Sequence, residues 1–134
     1  MEKKKSIHCL NENRSMEGFV SETGIYITEI KAGYARGYFG AQHRHSNPNG
    51  SIHGGMIFTL ADTVAGAAAE SQGRMVTTMN ASVNFLKPAF EGNILSAEAK
   101  IRKDGKNVCV YDVDICNEKE ELIVTATLTF FYLS

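Results

Sequence analysis

The run Met56-Ile57-Phe58-Thr59-Leu60-Ala61-Asp62-Thr63-Val64-Ala65-Gly66-Ala67-Ala68-Ala69, opened by Gly54-Gly55, constrains this chain more than any other feature. Nearly every side chain in it is small or apolar, and Asp62 is its only ionisable group. With Gly73 as a stop, it predicts a helix from about Gly54 to about Ser71. A helix apolar almost all round has to be covered on most sides, so it must run through the middle of its domain. The same pattern predicts that Asp62 is carried into a dry place, where an unpartnered carboxylate is costly. At the other end, two glycines leave bare backbone N–H groups at the positive helix terminus. A positive helix end and a lone acid point to chemistry at a carbonyl.

The cover for this helix is legible on both sides of it. Ile25 to Phe39 reads as one or two strands, with Tyr26, Thr28, Ile30, Ala32 and Tyr34 alternating with Ile27, Glu29, Lys31 and Gly33. Residues 40–53 form a loop rich in Asn, His and Gly. In 76–85, Thr77, Met79, Ala81, Val83 and Phe85 face one way and Thr78, Asn80, Ser82 and Asn84 the other, until Lys87-Pro88 ends the run. Leu95, Ala97, Ala99 and Ile101 make the apolar face of a strand over 94–101, and Lys103-Asp104-Gly105-Lys106 is a hairpin turn. Cys109, Tyr111, Val113 and Ile115 alternate with Val110, Asp112 and Asp114; Asn117 to Glu121 is a charged turn, and Leu122 to Leu133 a last strand. Strand, buried helix and antiparallel meander together predict an α+β layer with the helix inside a curled sheet.

Composition removes several functions. A chain of 134 residues with 43% hydrophobic content suits one folded domain, here 21–134, after a loosely structured or short helical segment over 1–20. The formal net charge is -1 and the one block of like charge is Lys3-Lys4-Lys5, so there is no basic footprint for nucleic acid. No apolar run has the character of a signal peptide or membrane span, which makes a cytoplasmic location without membrane attachment the expectation. Cys9, Cys109 and Cys116 lack metal-ligand spacing and read as reduced packing residues.

The residues also carry a family resemblance. Asn47-Pro48-x-Gly50-x-x-His53-Gly54-Gly55-x-x-Phe58-x-Leu60-Ala61-Asp62 resembles the signature of hotdog-fold thioesterases of the phenylacetate-degradation (PaaI-like) type. Ser71-Gln72-Gly73, Val83-x-Phe85-Leu86-Lys87-Pro88-Ala89, Gly92-x-x-Leu95, Val110-Tyr111-Asp112-Val113 and Thr129-Phe130-Phe131-Tyr132 continue the match in order, over roughly residues 20–132. The resemblance implies the hotdog fold, a long helix wrapped by a curved antiparallel sheet. It implies a homodimer or a dimer of dimers (a homotetramer) that hydrolyses acyl-coenzyme A thioesters. It requires no metal or redox cofactor, coenzyme A being part of the substrate.

Residue by residue, the resemblance makes Asp62 the general base that activates water, or the nucleophile of a mixed anhydride; its alternative is a solvated or hydrogen-bonded helix aspartate. Gly54 becomes the N–H donor to the thioester oxygen, where oxyanion character develops; its alternative is a glycine needed only for a tight turn. Gly55 permits close approach of backbone or substrate. Asn47 is placed near the thioester, or is a loop former only. His53 is a candidate catalytic imidazole, or it orders the loop at the helix start through hydrogen bonds, with a secondary role near the substrate. Thr78, with Thr77 as its rival, helps place the attacking water, or both are ordinary strand threonines. Arg102, Lys103, Lys106 and Lys87 are candidates for the coenzyme A phosphates, against a solvated turn as the alternative. His43-x-His45 with His53 does not complete a metal set.

Spacing bears on assembly. Eight residues of helix span about 12 Å, whereas a base and an oxyanion donor acting on one carbon both lie within about 3–4 Å of it. Gly54 and Asp62 of one chain therefore do not serve one substrate, while two copies about a two-fold axis do. Two other functions share the fold. An acyl dehydratase or hydratase uses a histidine in a different motif. A non-catalytic binder of acyl-coenzyme A would form a complex without releasing thiol; sensors of that kind carry a helix-turn-helix module, for which about 20 leading residues are too few.

Overall fold

The computed structural model describes residues 18–134. Cys9, the Lys3–Lys5 block and most of the expected N-terminal segment lie outside the described residues; its last part, Gly18–Glu22, is a 3-10 turn. Strands β1 (Tyr26–Lys31) and β2 (Tyr34–Gly40) follow, then a 3-10 turn at His43–His45 and helix α1 (Gly54–Ala69). The chain finishes with β3 (Val76–Phe85), β4 (Ile94–Asp104), β5 (Val108–Cys116) and β6 (Leu122–Tyr132). All six strands form one antiparallel sheet in the order β1-β2-β4-β5-β6-β3. The helix lies across its inner face, packed chiefly on β2 and β4. This is the helix-in-curled-sheet arrangement that the patterning predicts. No described helix is long and apolar enough to cross a membrane.

Alternation explains the strands. Ala35 and Phe39 on β2, Leu95, Ala97 and Ala99 on β4, and Tyr111, Val113 and Ile115 on β5 are buried against the helix, with polar neighbours outward. The 25–39 stretch, expected as one or two strands, divides at Ala32-Gly33 into two, with a register shift between Ile27 and Glu29 that moves the inward set from Ile25 and Ile27 to Ile30. One boundary differs from the sequence expectation. Strand β4 runs on to Asp104, because a bulge between Ile101 and Lys103 lets Lys103 and Asp104 pair with Val110 and Cys109.

Small residues on both sides let the helix approach the sheet closely. Ala61, Ala65 and Ala68 are fully buried on α1 and face a sheet lined with Ala35, Gly37, Ala97 and Ala99. A Cβ on Gly37 would fall 2.7 Å from the Tyr26 carbonyl oxygen and 2.9 Å from Val64 Cγ2. Backbone on one side and a buried branched side chain on the other leave no room to yield. Gly37→Ala is expected to cost about 1–3 kcal/mol, the usual range for overpacking, read as a lower urea midpoint with an unchanged m-value.

The expectation that α1 is buried almost all round needs correcting. Ile57, Leu60, Ala61, Val64, Ala65, Ala68 and Ala69 are buried, but Phe58, Asp62, Thr63, Gly66 and Ala67 are only half-buried. The reason lies in the sheet order. Strand β3 is an outermost strand, paired along one edge to β6, and the sheet does not close over that side of the helix. Asp62 therefore does not sit in a dry place. Strand β3 is itself unusually bare: Met79 and Phe85 are 58% and 53% exposed, with Met75 and Leu86 at 60% and 56% just beyond its ends. A ten-residue open edge carrying large apolar side chains is the kind of edge on which another strand can pair.

Candidate active site

Helix α1 starts on a cap made by its own preceding residue. His53 has extended backbone (φ -60, ψ 132), and its Nδ1 accepts the Gly55 N–H at 2.8 Å. Its carbonyl accepts the N–H groups of Met56 and Ile57 at 3.0 and 3.2 Å. That satisfies three of the first four helix donors and leaves one, since no described residue accepts from the Gly54 N–H. A Cβ on Gly55 would lie 2.9 Å from His53 Nδ1. The close approach for which Gly55 is needed is thus that of the capping ring. Gly54 borders a cavity of about 320 Å³ lined by Ile57, Phe85, Leu86, Lys87 and Pro88 among others.

Asn47 closes the loop before this cap. Its N–H donates to the Ser51 carbonyl at 2.7 Å, its carbonyl accepts from Gly50 at 3.0 Å, and its Nδ2 donates to Ser51 Oγ at 3.1 Å. Its visible contacts are those of a loop former.

Asp62 lines a second cavity, of about 360 Å³, two turns further along the helix. Thr78 Oγ1 donates to Asp62 Oδ1 at 2.6 Å. Strict alternation puts Thr78 with Asn80, Ser82 and Asn84 on the outer face, and this is a further correction. A bulge at Met79 shifts the register, so that Asn80 lies opposite Thr129 while Thr78 lies opposite the buried Phe130. Opposed residues share a face, and the extra residue thus re-aims Thr78 toward the helix. Thr77 lines the same cavity. Among the lining residues absent from the sequence candidates are Glu70 and Val20. Glu70 falls eight positions after Asp62, on the same helix face, a spacing that was open to inspection. Its Oε2 accepts the Val76 N–H at 3.1 Å. Val20 comes from the N-terminal turn and carries no local signal.

The basic candidates are not brought together. Lys87 pairs with Glu121 at 2.8 Å beside the Gly54 cavity. Arg102 faces Asp112 at 3.6 Å on the outer sheet surface, and Lys103 and Lys106 belong to the β4–β5 hairpin, near the opposite end of β3. The histidine pair lies in a 3-10 turn rather than a strand. The His43 side chain is exposed, 3.6 Å from Glu91, whereas His45 is buried with both ring nitrogens on backbone groups. Cys109 is buried and Cys116 half-buried; both are free, and burial pushes both thiols up.

Within one chain the carboxylate and the free N–H stand apart. Gly54 sits against the Phe85 ring, about 3.4 Å from where its Cβ would be, and Asp62 bonds to Thr78, toward the other end of β3. The eight-residue spacing puts them about 12 Å apart along the helix.

Comparison with known proteins places these features in a family. The thioesterase superfamily model matches residues 49–124, which span α1 and most of the meander. The acyl-coenzyme A thioesterase PaaI of Escherichia coli is 32% identical over 119 residues, covering 89% of this chain and 83% of that protein. The structure of the E. coli PaaI protein from the phenylacetic acid degradation operon superposes with a TM-score of 0.89 at 29% identity, over 97% of this chain and 92% of that one. A hypothetical thioesterase of Streptococcus pneumoniae TIGR4, crystallised with coenzyme A, gives a TM-score of 0.79 at 29% identity, over 82% and 86% of the two chains.

Proposed function

The chain belongs to the thioesterase superfamily, and from that premise we propose that it hydrolyses acyl-coenzyme A thioesters at a site completed by two copies of the chain. The observation that carries this is one helix bearing both parts of the chemistry, an unpaired N–H at Gly54 and a hydroxyl-oriented carboxylate at Asp62, too far apart to meet in one chain.

The thioester carbonyl oxygen accepts from the Gly54 N–H at the positive end of α1. Charge grows on that oxygen as the tetrahedral centre forms, and a fixed donor stabilises it more than it does the ground state. The partner subunit's Asp62 takes a proton from water as the water oxygen bonds to the carbonyl carbon. Thr78 directs its single hydroxyl proton to Asp62 Oδ1, which leaves Oδ2 to accept from that water and the Thr78 lone pairs to seat it. This favours the base over the nucleophile as the role of Asp62. The C–S bond then breaks and coenzyme A departs as a thiolate, which needs no acid. Side chains, one backbone N–H and water supply every step.

The open edge of β3 supports the assembly. Joined to a second copy about a two-fold axis near the middle of the strand, it brings the Thr78 end of β3 beside the Phe85 end of the other chain. Asp62, bonded to Thr78, then approaches the N–H of the Gly54 that rests on that Phe85. The two sheets become one, and Met79 and Phe85 are covered.

The test is release of free thiol from a panel of aryl- and alkyl-coenzyme A esters, run beside the molar mass from light scattering. Turnover by a dimer is the expected result, and the panel names the acyl class. Tight binding without turnover on any ester would make the chain an acyl-coenzyme A binder. A fully active monomer would remove the shared site.

A further inference from the structure

We propose that His45 is a positioning residue for the reaction: its buried imidazole, pinned between the Gln42 N–H and the Thr23 carbonyl, holds the loop that presents the Gly54 N–H. The inference rests on the reading that this N–H polarises the thioester.

The links are continuous. Nδ1 of His45 accepts the Gln42 N–H at 2.9 Å, and Nε2 lies 2.9 Å from the Thr23 carbonyl oxygen. Because Nδ1 accepts, the proton sits on Nε2 and donates to Thr23. The neighbouring Arg44 donates to the Glu22 carbonyl, so consecutive residues grip consecutive carbonyls of the N-terminal turn. On the far side, the His45 carbonyl accepts the His53 N–H at 2.8 Å, and His53 caps the helix through Gly55. The grip therefore reaches the residue immediately before Gly54. It reaches the other half-site too. Thr23 donates from N and Oγ1 to the Val20 carbonyl at 3.0 and 2.8 Å, and Val20 lines the Asp62 cavity. One ring thus ties the oxyanion end to a wall of the carboxylate end.

The bond pattern requires the neutral ring. A proton on Nδ1 would set N–H against the Gln42 N–H. The surroundings agree. Strand β2 presents the Phe39 ring edge-on at 4.9 Å, and the N-terminal turn offers the carbonyls of Glu22 and Thr23. The charged or titratable side chains nearby in sequence or through hydrogen bonds are Arg44, His43 with Glu91, Glu22, and His53 at the helix cap. Burial first, with Arg44 adding to it, pushes the His45 pKa below its ordinary 6.5, against the pull of Thr23. A histidine depressed in the fold contributes stability that is complete above 6.5 and is lost as pH falls through the folded value. The grip is therefore an acid-sensitive one.

The experiment compares wild type, His45→Leu and His45→Gln, whose amide keeps a donor for Thr23 and has nothing to protonate. Thiol release is measured from pH 5 to 8, and the Gly54 amide resonance is followed over the same range. The expected result is a kcat lowered about tenfold in His45→Leu with KM changed less than about twofold, the signature of misplacement rather than lost binding. His45→Gln should recover most of kcat and lose part of the acid limb, and its Gly54 amide should move less below pH 6.5 than in wild type. An unchanged kcat in His45→Leu, or an acid limb and a Gly54 titration identical in wild type and His45→Gln, would overturn the proposal. Should His45→Leu fail to fold, the comparison with His45→Gln still decides. Should wild type turn over no ester, the catalytic reading has failed, and the Gly54 amide still reports whether His45 holds that N–H.

Discussion

Asp62→Asn is expected to lower kcat at least about 100-fold, the lower bound for removing a general base, with KM changed only a few-fold. The asparagine keeps the size of the side chain and an oxygen for the Thr78 hydroxyl at 2.6 Å, but it takes no proton from water. Because Asp62 is half-buried and lines an open cavity, the substitution strands no buried charge and should leave the melting temperature nearly unchanged. Thr78→Ala is the informative companion. It leaves the base in place but removes the group that orients it, so its loss should be smaller than that of Asp62→Asn. Thiol release under saturating ester, with thermal melting as the control for folding, measures both. Turnover unchanged in Asp62→Asn would remove that residue from the chemistry, whatever the family supplies.

Much of the fold is legible in the sequence, and the rest is not, for identifiable reasons. A helix of small and apolar side chains with a single acid, opened by two glycines, announces its extent and its buried stripe, because composition and spacing are local. The strands announce themselves by alternation. What alternation does not contain is the bulge at Met79, one extra residue whose effect is to turn Thr78 from the outer face to the helix face. Propensity also does not say which strand will be outermost. The apolar sequence of α1 implies cover all round, but in one chain that cover stops at β3, so Asp62 emerges half-buried. Glu70 lies just past the run in which Asp62 is the single acid, and its spacing alone does not distinguish a cavity wall from a solvated helix end. Val20 and the grip of His45 on Thr23 are contacts between segments more than 20 positions apart, and nothing local encodes them.

Gly54→Pro is expected to lower kcat by about 100- to 1000-fold, the cost of one oxyanion donor, while the helix stays intact. Proline deletes the N–H under test, and here that deletion is structurally mild. Gly54 is the first residue of α1, where proline is well tolerated and where this N–H serves no hydrogen bond to a described residue. The preceding residue is already in the extended conformation that proline demands of its neighbour, at φ -60 and ψ 132. A Cβ on Gly54 would meet the Phe85 ring at 3.4 Å, an ordinary contact. Asp62→Asn and Gly54→Pro then form a pair that tests the shared site directly. Each homodimer lacks one half of both sites. Refolded together in equal amounts, half of the dimers combine one chain of each kind, and each of those joins an intact Gly54 to an intact Asp62 at one site of two. Activity should return to about a quarter of wild type if the site spans two chains. A site held within one chain has no such combination available, and the mixture would then be no more active than its parts.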